Sequence, residues 1–317
     1  MRIIVLGGTR FVGRAICSEL TSRGHELLLV HRGRAEPDGL APAQHLHADR
    51  ASWPSQGTRL AAFGAEAAVD VSALNGVGAE SALRALPPGL RCVVISSGDV
   101  YRAYESLHAG TQTDSVPLSE QSPLRQVRHI DAPDWENLEI EERYLAAGAT
   151  VLRLGAVYGE HDYQHRFEFI LRRVRAGRQR LPIGPGTFLF SRIYVGDVAT
   201  AVAEVLERDD LAGEIFNIAE STTSAYRLFA EQIIAAADGR LELVPVPEER
   251  LPEDLKITGS HSQHLLLDAS KARRILQWKH RDSPEALHRS VSWHLDNPPT
   301  DASNDFGQDD AALSRRS

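Results

Sequence analysis

Residues 2–13 read RIIVLGGTRFVG, and this stretch decides the fold. Arg2 to Leu6 is a short apolar run rich in β-branched residues, ended by Gly7 and Gly8, and reads as a first strand. Residues 11–23 then place Phe11, Val12, Ala15, Ile16 and Leu20 at helical spacing, and Gly24 closes the helix. Residues 26–30, ELLLV, give a second strand. Strand, glycine turn, helix and strand within about 30 residues make a βαβ unit with parallel strands. The glycines supply what a dinucleotide turn needs: a tight bend, close approach of backbone to pyrophosphate, and a helix set hard against the sheet. The amides from Thr9 to Gly13 then meet a diphosphate at the positive end of the helix dipole. A turn with a purely structural role is the alternative.

The alternation continues downstream. Short strands are expected near 43–47, 65–71, 91–97 and 150–154, with helices near 57–63, 77–86 and 136–147 between or before them. Near-continuous apolar strands suit a sheet covered on both faces. The expected architecture is α/β: a Rossmann-type doubly wound parallel sheet with a smaller C-terminal α/β substrate-binding lobe. Residues 1–160 would form the nucleotide-binding domain and 161–297 most of the second lobe, with the segment around Asn217 and the terminal helix returning to the core. The polar, proline-bearing stretch 102–134 reads as a long loop or lid. Residues 298–317 read as a disordered tail.

Composition narrows the partners. The chain has 317 residues, 42% of them hydrophobic, enough for a large core without covalent staples. A net charge of −8 lowers the expectation of a nucleic-acid partner. Two cysteines, Cys17 and Cys92, do not make a disulfide framework and fit a reducing, cytoplasmic setting. No apolar run reaches the ~18 residues of a membrane span.

Several motifs resemble the extended short-chain dehydrogenase/reductase family of nucleotide-sugar epimerases and dehydratases. The turn resembles its Gly-x-x-Gly-x-x-Gly, with Gly7 and Gly13 kept and Arg10 in the middle place. GGTRFVG resembles an atypical branch that includes RNA-binding chloroplast members. Asp49 in HADR resembles the adenine-contacting acidic position. Val94 to Ser97 with Val100-Tyr101 resembles VSS…VYG, and RLGAVYG at 153–159 resembles LRP..VYGP. Residues 194–199, YVGDVA, resemble HVDDVA, and DASKA at 268–272 with Leu276 and Trp278 resembles the family's C-terminal motif. The resemblance implies a nicotinamide cofactor held by Gly7, Thr9, Arg10, Phe11, Val12, Gly13, Arg32, Asp49, Arg50 and Ser96. After the second strand the chain has His31-Arg32-Gly33-Arg34, with no carboxylate for a ribose 2′-hydroxyl. Arg32 suits a 2′-phosphate, so NADP is expected, with NAD as the alternative.

The same family implies a catalytic Ser/Thr with a Tyr-x-x-x-Lys pair, a phenol whose pKa is drawn toward neutrality by a cation. Ser97 fits the first place. Counting back from Glu141, the tyrosine place falls on Pro133 and the lysine place on Asn137, and the helix holds no lysine. Asp99 and Tyr101 are therefore the candidate proton carriers beside Ser97, while Tyr144 is expected to be a packed aromatic. Two alternatives stay open: a proton relay through substrate or water, and a fold that has lost catalysis. Arg166 and Arg192 are candidate contacts to a substrate diphosphate. His161 and His165 give too few ligands for zinc, and no metal is expected. Arg172, Arg173, Arg175, Arg178 and Arg180 form a basic cluster that reads as a solvated face or, in the alternative, an RNA contact.

The expected function is thus an oxidoreductase, epimerase or dehydratase of atypical type, acting on a sugar nucleotide or secondary-metabolite carbonyl or carbinol. A catalytically degenerate nucleotide-binding protein and an RNA-binding member are the competing readings. The expected partner is a small-molecule substrate, with no membrane, and a homodimer is compatible with the family.

Overall fold

The computed structural model describes residues 1–34, 36–281 and 283–314. The first half alternates as expected: β1 (Arg2–Leu6), α1 (Phe11–Ser22), β2 (Glu26–His31), β3 (Gln44–His47), α2 (Gly57–Phe63), β4 (Ala67–Asp70), α3 (Gly76–Ala85), β5 (Arg91–Ser97), α4 (Arg102–His108), α5 (Asn137–Ala146) and β6 (Thr150–Leu154). The second half adds β7 (Ala156–Tyr158), α6 (Glu168–Arg175), β8 (Arg180–Ile183), β9 (Arg192–Tyr194), α7 (Val195–Leu206), β10 (Ile215–Ile218), α8 (Tyr226–Ala236), β11 (Glu242–Pro245), α9 (Ser270–Ile275), α10 (Ser283–Asp296) and α11 (Gly307–Ser314).

Among the described residues, seven strands form one parallel sheet in the order β10-β6-β5-β4-β1-β2-β3. The order reverses at β1, which is the switch point where doubly wound sheets open a crevice at their carboxyl ends. Period-two alternation divides each strand between two cores. Ile3, Val5, Leu27 and Leu29 face the layer of α1 and α7. Ile4, Leu6, Leu28 and Val30 face the layer of α3 and α5. Burial on both faces explains why these strands read as unbroken apolar runs. β10, which carries Asn217, pairs in parallel with β6.

The remaining strands pair away from the large sheet. β8 joins β11, and β7 joins β9, both in parallel. With α6, α8 and α10 they form the smaller α/β part of the molecule.

Two expectations are corrected here. The stretch 102–134 is not wholly loop, because residues 102–108 form α4, and the rest is pinned by a buried, forked ion pair from Arg125 to Glu136 at 2.7 and 2.9 Å. The tail is not without structure either, although its last three residues lie outside the described ones. Residues 307–314 form α11, and Asp309 on that helix is wholly buried against the guanidinium of Arg173, with both bonds at 2.7 Å. A polar composition reads as disorder, but a carboxylate that meets a buried cation 136 residues away leaves no local trace in the sequence. No helix of the described residues is long and apolar enough to cross a membrane.

Candidate active site

The glycine turn between β1 and α1 is shaped by close packing. Gly7 lies at φ +94°, and a Cβ there would stand 2.5 Å from the Ser72 Cβ. A Cβ on Gly13 would stand 2.2 Å from the Gly7 carbonyl oxygen. Nothing larger than hydrogen fits at either place, so the backbone itself lines the cradle. Arg10, in the place of the family's middle glycine, is exposed and so needs no such freedom. No side chain caps α1, and its first turn holds no acidic residue. The amides of Phe11, Val12 and Gly13 are left to an anion, which is the physical requirement of a diphosphate site.

Cations frame that cradle. Arg10 lies 4.1 Å over the ring of Tyr163. Arg166 lies 5.6 Å over the ring of Phe11 while paired to Asp162 at 2.7 Å. Residues 162–166 thus fold over the head of α1 and bring Arg166 to the same rim as Arg10. Val12 is half-buried beside them, and Thr9 is buried within the turn.

At the end of β2, Arg32 is exposed. His31, one residue before, turns inward and accepts the Gly33 amide on Nδ1 at 3.2 Å. Burial, and then the neighbouring His45, hold His31 below the ordinary imidazole range. Asp49 is exposed just past β3.

Two expected cofactor contacts are corrected by their surroundings. Arg50 turns inward and forks onto Asp70 at 2.7 and 2.9 Å, also reaching Ser72 and the Gly78 carbonyl. The hydroxyl of Tyr144 donates to the same Asp70 at 2.6 Å, so Tyr144 is the packed aromatic expected of it. Ser96 donates at 2.6 Å to Glu141, which also receives Arg153. Its side chain belongs to that buried network and not to the cleft. A local motif cannot reveal either contact, because the partners lie 20 and 45 residues away.

The catalytic candidates divide in the same way. Tyr101 has no exposed surface, and its hydroxyl donates to Asn217 at 2.6 Å beneath the Arg153 guanidinium. Burial raises its pKa further. Tyr101 therefore tethers β5 to β10, and is corrected from proton carrier to structural residue. Ser97 and Asp99 lie together where β5 ends. The Ser97 hydroxyl oxygen accepts the Asp99 amide at 3.2 Å, which leaves its own hydrogen to donate.

Asp99 is a desolvated carboxyl just past the end of β5. Its Oδ2 accepts a hydrogen bond from the Asn137 side-chain amide at 2.8 Å. Its Oδ1 is buried and has no partner. Burial pushes its pKa up to about 6, against the opposing pull of the Asn137 bond and of Arg125. Asn137, on the expected lysine place, thus does reach the site, but as a neutral amide that holds a carboxyl. Sequence spacing puts Asn137 on that place but does not disclose its pairing with Asp99.

Arg192 heads β9, beside the end of β6, where a Cβ on Gly155 would touch the Ser191–Arg192 backbone. Its guanidinium lies 3.6 Å over Phe229 and donates to the Ser224 carbonyl at 3.0 Å. Its other terminal nitrogen, Nη2, is buried without a partner. Burial lowers its pKa against the opposing pull of Tyr226, Glu220 and Tyr158. His161 lies against Trp293 and His165 against His294, so the two histidines face different neighbours. The basic cluster is neutralised: Arg173 by Asp309 and Asp254, Arg172 by Asp254, Arg175 by Glu168 and Arg178 by Asp310.

The matching family model is that of the NAD dependent epimerase/dehydratase family, over residues 45–219. The chain belongs to this family. Among curated relatives it is 26% identical to the chloroplast stem-loop binding protein of 41 kDa b of Arabidopsis thaliana, over 99% of this chain and 85% of that one. It is 27% identical to 2′-dehydrokanamycin reductase of Streptomyces kanamyceticus, over 81% of this chain and 72% of that one. Among solved structures, dTDP-glucose 4,6-dehydratase from Bacillus anthracis in complex with NAD superposes with a TM-score of 0.73 at 17% identity, over 94% of this chain and 97% of that one. UDP-glucose 4-epimerase from Thermotoga maritima with UDP-glucose gives 0.71 at 17% identity, over 94% and 100%. The family and the fold are those the motifs implied, and the family is one of NAD-dependent oxidoreductases, epimerases and dehydratases.

Proposed function

We propose that the protein is an NAD(P)-dependent reductase of small molecules in which Asp99 replaces the family's tyrosine as proton donor. One observation carries this reading. At the end of β5, beside Ser97, a carboxyl with a pKa near 6 is held by the residue on the lysine place and keeps one oxygen free. A carboxyl in that range is protonated often enough at neutral pH to act as an acid. The glycine cradle and the uncapped α1 fit a dinucleotide diphosphate, with Arg10 and Arg166 at its rim. A bound nicotinamide would supply the hydride. Ser97 would donate its hydroxyl hydrogen to the substrate carbonyl oxygen and orient it. Asp99 would deliver the proton to that oxygen, and Asn137 would hold Asp99 in place. Arg192, with its unpartnered nitrogen, suits an anionic group on the substrate, such as the diphosphate of a sugar nucleotide or the carboxylate of a metabolite. The exposed Arg32 directly after β2, with Glu36 turned to His31 and His47, favours NADPH over NADH. Two relatives carry the names of reductases, 2′-dehydrokanamycin reductase and 2-alkyl-3-oxoalkanoate reductase. The RNA-contact reading draws on the stem-loop binding relative, but the ion pairs of the arginine cluster leave it little free charge.

The test is isotope transfer. The protein is incubated with NADPH deuterated at the nicotinamide C4 and a panel of nucleotide-linked keto-sugars and aliphatic 3-keto acids. Deuterium on a product carbinol carbon, lost in Asp99→Asn, is the expected result. Tight NADPH binding with no transfer to any ketone overturns catalysis and favours a catalytically degenerate nucleotide-binding protein.

A further inference from the structure

Three imidazoles and one carboxylate converge at the outer edge of the sheet. His45 and His47 stand two apart on β3, so their side chains share one face of the strand. His31 on β2 is the register partner of His47 and lies on that same face. Glu36, from the connection after β2, closes the group: its Oε1 lies 2.5 Å from His47 Nε2 and 3.7 Å from His31 Nε2. His31 Nε2 lies 2.8 Å from His45 Nδ1. One ligand atom from each of the four residues lies within 4.8 Å of all the others.

We propose that this cluster is a zinc site. Zn2+ takes four ligands in a tetrahedron, with imidazole nitrogens at about 2.0–2.1 Å and carboxylate oxygens at about 2.0–2.2 Å. Three histidines with one glutamate satisfy that number and that chemistry, and small side-chain turns close the present spacing. Two of the ligands lie on β3 and a third on its sheet neighbour, so the backbone fixes most of the geometry. The buried His31 ring accepts the Gly33 amide on Nδ1 at 3.2 Å. Coordination through Nε2 would put the ring proton on Nδ1, so the Gly33 amide would have to turn away from the ring. Hard cations such as Mg2+ prefer oxygen donors and gain little from this set. The ion would tie the connection between β2 and β3 to a four-residue edge strand that is otherwise held from one side only. None of the four residues belongs to the proposed catalytic group, so the site stands or falls independently of it. The His-x-His spacing at 45–47 is its one trace in the sequence, and the more widely spaced His161 and His165 take no part in it.

The experiment uses untagged, full-length protein freed of metal with EDTA and exchanged into clean buffer. Titration calorimetry with zinc sulfate is expected to give one ion per chain, and Co2+ in its place to give the visible absorption bands of a tetrahedral ion. Losing a residue that only orients a metal ligand already costs about 10–100-fold in affinity, so His45→Ala/His47→Ala is expected to weaken zinc by more than about 100-fold. Both histidines are exposed, so the metal-free variant should melt as the metal-free parent does. Zinc should raise the melting temperature of the parent alone. Magnesium chloride should do neither. The proposal is overturned if the parent takes up no zinc, or if the double variant binds it as tightly as the parent.

Discussion

Asp99 carries the proposed proton transfer in one side chain. Its carboxyl is desolvated at the end of a parallel strand, where only the Asn137 amide and the more distant Arg125 favour its charge. Asp99→Asn should lower turnover by about 100-fold or more, the ordinary worth of a positioned acid, and steady-state rates with NADPH measure it. The same change should alter stability with a defined sign. The folded chain holds the Asp99 proton more tightly than the unfolded chain does. Stability is therefore lost as pH rises from the usual carboxyl range through about 6. Asn removes that loss, so its melting temperature should exceed the parent's at about pH 8 and match it near pH 4. Asn137→Ala should act through Asp99. It removes a donor to the charged form and shifts the pH midpoint of reduction upward, while a merely structural role would leave that midpoint in place. In reduction the acid form is needed, so rates should fall above the midpoint.

The elements explain what can be read from the chain and what cannot. The inner strands of the large sheet are legible, because burial on both faces forces near-continuous apolar runs and the glycine turn announces the first crossover, whereas the mostly exposed edge strand β3 follows only from the alternation. The cradle is legible for the same reason: Gly7 and Gly13 have packing requirements that no other residue meets. Arg50, Ser96 and Tyr101 match family motifs yet point into buried networks, because a motif fixes which strand end a residue occupies and leaves the side chain's partner open. The partners, Asp70, Glu141 and Asn217, come from neighbouring strands and helices. The zinc cluster depends on strand register between β2 and β3, which periodicity does not provide. At this scale, Arg32→Ala should weaken NADPH at least tenfold (about 1.4 kcal/mol, one charge-assisted hydrogen bond) and leave NADH nearly unchanged. Parallel fluorescence titrations of the two cofactors test this.

Across the whole molecule, the C-terminal segment acts as a strap. α11 docks against α6 through Arg173, which is wholly buried between Asp309 and Asp254. Asp309→Ala strips that guanidinium of its more buried partner and should cost about 3 kcal/mol, since one charge of a buried pair is left under-compensated. Urea unfolding of the two proteins measures the difference. Arg173→Met with Asp309→Leu, which removes both charges, should recover much of the loss. Two arginines of the basic cluster, Arg173 and Arg178, pair with carboxylates of this strap.

The central claim is that the turn between β1 and α1 grips a dinucleotide. The most direct measurement is titration of NADPH into the protein and into Gly7→Val, followed by the fluorescence of the reduced nicotinamide, with circular dichroism showing that both are folded. Saturable binding by the parent and none by the folded variant is the expected result. Equal binding by both, or none by the parent, would contradict it.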